Sequence, residues 1–176
     1  MKTLLKTLTQ ISAPSGREDE IRAALALVDE QHIRQVALLG GAQAGGLAAE
    51  LAQRGISVVL TPTGAALDVD GEPVPDSLAA DLHRAGVPVV IASGDVERSR
   101  FLPLLAALCA GGGLPEDAAV RAITLTAAEV LGIADRTGSL DVGKRADILV
   151  TSAPLLSSEA RVLRVLADGE TVSQGR

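Results

Sequence analysis

QVALLGGAQAGGLAAELAQRGISVVLTPTGAALDVDGEPVPDSLAADLHRAGVPVVIA, residues 35–92, holds three short apolar runs set between helix-forming stretches. Gln35–Leu39 (QVALL), Ile56–Leu60 (ISVVL) and Val87–Ala92 (VPVVIA) are too short for helices and rich in Val, Leu and Ile, so each predicts a strand. Gly45–Arg54 between the first two is alanine-rich and stops at Gly55, which predicts a helix. A loop through Pro62, Gly64, Gly71, Pro73 and Pro75 follows the second run. Asp76 then offers an N-cap for a helix over Ser77–Ala85, ended by Gly86. The third run is apolar almost throughout, as a parallel strand buried on both faces should be. Such β-α-β-α-β alternation predicts an α/β fold, a parallel sheet with right-handed crossovers.

Working outward, Arg98–Ala110, Pro115–Ile123 and Thr124–Leu131 read as helices. Pro115 suits a helix start, where no N–H is needed. The tail turns to β structure: Ala146–Thr151 is one strand, and Arg161–Ala167 pairs with Glu170–Val172 across Asp168-Gly169, a dipeptide that supplies the positive φ of a two-residue hairpin. On the other side, Met1–Leu25 has a helical apolar pattern, a Ser-Ala-Pro-Ser-Gly break and an acidic helix start, with Ser15 and Glu18 spaced as a capping box. Three parts follow: a helical arm over 1–30, an α/β domain over 31–134 and a β extension over 135–176.

The 176 residues suffice for one good core, and 47% hydrophobic against 22% charged residues is a globular composition. With 1% aromatics and neither Trp nor Tyr, the core must be aliphatic. A formal net charge of −6 argues against a nucleic-acid partner, which would need a basic face. No run of about 18 apolar residues predicts a membrane span, and Met1–Gln10, interrupted by threonines, makes a poor signal peptide. Cys109 stands alone in an apolar helical run, so a buried inert thiol and a cytoplasmic location are expected.

Residues 118–150, AAVRAITLTAAEVLGIADRTGSLDVGKRADILV, give helix, short helix, glycine turn and strand. This stretch is similar to the C-terminal part of the metal-dependent amidohydrolases, imidazolonepropionases and related deacetylases among them, where it follows the last barrel strand and leads into a small β-domain. The resemblance implies the later strands of a (β/α)8 barrel, so the sheet is either a partial TIM-like barrel or a Rossmann-like sandwich, with the C-terminal hairpin appended. It also implies hydrolysis of cyclic or linear amides by metal-activated water. In those enzymes Gly138–Lys144 (GSLDVGK) is a structural connection. MKTLLKTLTQISAPSGREDEIRAAL resembles the opening of the tetrahedral, glutamyl-type zinc aminopeptidases but carries none of their zinc ligands. The chain then reads as a composite, which recombination, truncation or deliberate construction would each produce.

Parallel α/β folds gather ligands at the C-terminal ends of their strands, here Gly40–Gln43, Thr61–Gly64 and Ser93–Asp95. By the resemblance Asp95 matches the aspartate after the last barrel strand, which binds metal and accepts the proton of the attacking water. It is the candidate catalytic and metal residue; otherwise it caps the next helix or faces water. The amidohydrolases also need a His-x-His pair and further histidines, whereas this chain has only His32 and His83. Both precede strands, so they belong at the opposite end of the sheet, roughly 15–20 Å from Asp95. Glu97 is near but not in a diagnostic spacing, and no Ser–His–Asp or Cys–His set can be assembled. LGGAQAGG makes Gly40, Gly41 and Gly45 candidates for holding a small anion or nucleotide phosphate, although the GxGxxG pattern is broken and a packing role competes.

The expectation is an amidohydrolase-like scaffold, catalytically incomplete alone. No cofactor is expected unless another chain completes a zinc site. Open sheet edges and an unpartnered hairpin predict a homodimer. A small-molecule ligand is the other partner expected, and the competing readings are a non-enzymatic small-anion or nucleotide-binding module and a composite or engineered structural scaffold.

Overall fold

Four parallel strands form the central sheet of the computed structural model, which describes residues 8–12, 18–62 and 74–175, the first of these as backbone only. They run in the order β1 (Leu8–Ser12), β2 (Gln35–Leu39), β3 (Ser57–Leu60), β4 (Val89–Ile91). Ala37 lies beside Ser57, Leu39 beside Val59, and Val59 beside Val90. The three apolar runs are therefore strands, each a little shorter than or equal to its predicted span. The crossovers are α2 (Ala48–Gln53), entered through a 3₁₀ turn at Ala44–Leu47, and α3 (Leu78–Arg84). Ser77, rather than Asp76, sits at the N-cap of α3, and its hydroxyl donates to the Asp81 carboxylate at 2.9 Å.

Leu8–Ser12 corrects the helical reading of the first residues: Leu8 pairs with Gln35 and Ser12 with Leu39. Leu8 and Ile11 stand three apart, which suits a helix in isolation, but pairing along β2 overrides so weak a local preference. After it, α1 (Glu18–Glu30) buries Ile21, Leu25 and Val28. Ile21 and Leu25 belong to the same core as the sheet. Ser15, one half of the predicted capping box, lies outside the described residues, as do Gly64, Gly71 and Pro73.

Successive strand residues face opposite sides. Leu38, Val58, Leu60, Val89 and Ile91 join Leu47, Leu51 and Leu82 in the aliphatic core. Helices α4 (Leu102–Gly111) and α5 (Glu116–Ala122) close it with Leu105, Cys109 and Ala119. Ala37, Leu39, Ser57 and Val59 are of the other parity. At the lower end of the sheet, where the strands begin, α6 (Leu125–Val130) lies across residues of that second face. Gly138 then packs against α6; its φ is +92°, and a Cβ there would stand 2.7 Å from that of Ala128.

The tail is a separate antiparallel sheet of β5 (Ile148–Thr151), β6 (Val162–Ala167) and β7 (Glu170–Gln174). Its hairpin is the predicted one, with φ of +52° at Asp168 and +84° at Gly169. The Asp147 carboxylate fastens the turn, accepting the Asp168 N–H at 3.0 Å and pairing with Arg145 at 2.7 Å. Among the described residues, no helix is long and apolar enough to cross a membrane.

Candidate functional site at the upper end of the sheet

The chain leaves β4 through a turn over Ser93–Arg98 that places Asp95 at the strand's C-terminal end. Both carboxylate oxygens are engaged. One accepts the Arg98 backbone N–H at 2.7 Å, and the other accepts Arg98 Nε at 2.6 Å. The Ser93 hydroxyl donates to the Asp95 carbonyl at 2.7 Å. The Arg98 backbone N–H and then its guanidinium hold the carboxyl of Asp95 below the usual aspartate value. Asp95 thus caps the turn that opens the 3₁₀ segment Ser99–Phe101. Arg98 was missing from the sequence reading, although its spacing in Asp95-Val96-Glu97-Arg98 was visible.

The glycine loop does local work. Gly40 turns with φ of +91°, and a Cβ on Gly41 would meet Ala44 and Val58 at 3.0 Å. Gly45 borders an open cavity of about 630 Å³ whose other walls include Glu18, Asp19 and Asp81. Three carboxylates repel a phosphate, and the segment entering there is a four-residue 3₁₀ turn rather than a helix. Lys144 pairs with Asp141 at 3.2 Å and donates to Ser139 at 2.6 Å, so it ties the Gly138–Lys144 turn together.

A family model described as "Amidohydrolase family" matches residues 6–172. The chain belongs to the amidohydrolase family. Among solved structures it is similar to an amidohydrolase from Thermotoga maritima (26% identity, TM-score 0.85), covering 99% of this chain and 46% of that one. It also resembles a zinc-bound adenosine deaminase from Xanthomonas campestris (23%, TM-score 0.61, 91% of this chain and 43% of that). A third is N-isopropylammelide isopropylaminohydrolase from Burkholderia multivorans (24%, TM-score 0.61, 89% and 43%). The chain thus spans less than half the length of each. No curated protein matches it significantly. The family match takes in most of the segment likened to zinc aminopeptidases, and that second resemblance finds no support.

Members of this family typically use zinc, and the Xanthomonas campestris neighbour holds it. A catalytic zinc takes about three protein ligands and keeps an open position for water. Among the described residues no group of three His, Cys, Asp or Glu could hold a metal ion. Both histidines of the chain are described, and neither is near Asp95. His32 lies in the turn between α1 and β2, and His83 in the last turn of α3, beside Pro88 at the start of β4. Both are at the lower end. Asp68, Asp70 and Glu72, in the segment after β3, lie outside the described residues. Zinc does not fit the described part of this chain, because the Asp95 carboxylate is salt-bridged to Arg98 and both histidines stand at the opposite end of the sheet.

Proposed function

We propose that this chain is an amidohydrolase scaffold, the later strands of the family's barrel with its small β-domain, that is catalytically incomplete as a single chain. The observation that carries this reading is the closed pair of Asp95 and Arg98. A carboxylate that binds metal and takes a proton from water must direct its charge at the ion, whereas this one directs one oxygen at the Arg98 N–H and the other at the Arg98 guanidinium. Any hydrolysis of C–N bonds then requires imidazoles other than His32 and His83, placed over the upper end of the sheet. Asp95 would rejoin a metal site only by exchanging Arg98 for the ion.

A homodimer belongs to the same reading, because the small sheet exposes Leu149, Leu163 and Val172. The glycine loop keeps a packing role, since its acidic cavity disfavours an anion.

The test is elemental analysis of the purified chain with hydrolysis assays on N-acylated amino acids and cyclic imides. The expected result is zinc far below one per chain after dialysis, and no hydrolysis above an Asp95→Ala control. Stoichiometric zinc together with turnover, both lost in Asp95→Ala, overturns the reading.

A further inference from the structure

We propose that the crevice between α6 and the lower end of the parallel sheet binds a small zwitterionic amino acid. Ser57 draws attention to it. Among the described residues this is the buried polar one, 9% exposed, on the sheet face away from the aliphatic core and in a strand otherwise made of Val and Leu. Its hydroxyl has no hydrogen-bond partner among the described residues. A buried hydroxyl left unpaired is costly, so such groups ordinarily have a partner. Ser57 lines a cavity of about 180 Å³ at the foot of β2 and β3.

The walls specify the occupant. Arg34 contributes a guanidinium that makes no ion pair among the described residues, and Glu129 of α6 contributes a carboxylate. Among the described residues Glu129 pairs with Arg121 alone, at 3.7 Å, a long and exposed pair that is readily exchanged. Thr126 adds a second hydroxyl, while Val36, Pro88 and Val130 make the apolar part. A lone carboxylate would meet Glu129 and a lone amine would meet Arg34. A ligand bearing both charges satisfies both, its carboxylate forked on Arg34 with Ser57 donating, its ammonium on Glu129. Cavities of about 150 Å³ accept a six-carbon ring, so this one suits roughly six to nine heavy atoms. Alanine to valine fits that range.

Calorimetric titration with L-valine, isobutyrate and isobutylamine separates the possibilities, with backbone amide shifts locating the site. The expected outcome is saturable binding of valine that perturbs the Arg34, Ser57 and Thr126 amides. Isobutyrate and isobutylamine should each bind at least about tenfold more weakly, as should valine to Arg34→Gln or Glu129→Gln, since each charged hydrogen bond is worth a tenfold change or more. Both substitutions are on exposed side chains, and circular dichroism checks that the fold is kept. No saturation by valine, equal binding of the three compounds, shifts confined to other residues, or unchanged binding in Arg34→Gln overturns the proposal.

Discussion

Asp95 and Arg98 decide what the upper end of the sheet can do, and their pairing leaves a mark on titration. The carboxyl of Asp95 is held below its ordinary value, chiefly by the Arg98 backbone N–H and then by the Arg98 side chain. A lowered folded-state value means that its stabilising effect is complete above about pH 4, the unfolded aspartate range, and is lost as pH falls through the folded value. Carbon-detected NMR should therefore find Asp95 ionised at a pH where ordinary aspartates are half protonated. Arg98→Gln should move its midpoint upward while keeping the backbone bond; an unchanged midpoint would show that the guanidinium contributes nothing. Cys109 behaves oppositely. Burial pushes its thiol up to about 11, so at pH 8 only about one molecule in a thousand is thiolate. A thiol-specific disulfide reagent should leave the native protein unlabelled at pH 8 and label one thiol per chain in denaturant. Rapid native labelling would contradict the buried placement.

At the scale of elements, α3 and the Gly138 turn are two places where packing leaves little room. Leu82 is fully buried between α3 and the sheet, so Leu82→Ala should cost about 2–5 kcal/mol in urea unfolding. Gly138→Ala combines a positive φ with a Cβ pressed on Ala128, and a loss of about 1–3 kcal/mol is expected. A neutral result would mean that α6 is free to shift away from the turn. The elements were legible where burial is written locally. QVALL, the Val–Val cores of the next two runs and the Asp168-Gly169 turn each carry their own signal, and the structure places them as read. Leu8–Ser12 was not legible, because its apolar spacing fits a helix and only the partner strand makes it β. At the upper end Asp95 stands out in the sequence but its ion pair with Arg98 does not, since a residue type does not announce what its charge is paired with. Ser57, a hydroxyl inside ISVVL, was a visible anomaly whose meaning depends on α6, some 70 residues later in the chain.

On the scale of the whole molecule, the two sheets differ in how they meet solvent. The parallel sheet has a helical layer on one face, whereas the antiparallel sheet leaves large apolar side chains in water: Leu163 is 46% exposed and Val172 62%. Single exposed aliphatics are ordinary on a protein surface, but several gathered on one small sheet favour association. The edge strand β7 adds unpaired backbone groups and carries neither Lys nor Pro to discourage pairing. With a net charge of −6, two copies repel at long range, so short-range apolar contact must hold them and salt should strengthen the association by screening. Sedimentation velocity at micromolar concentrations should show a dimer favoured by added sodium chloride. Leu163→Lys with Val172→Lys should return the chain to monomers with its circular dichroism unchanged, since both side chains face water already. A wild-type monomer at every concentration would end the dimer reading, and a dimer indifferent to both lysines would place the contact away from the exposed strands of the small sheet.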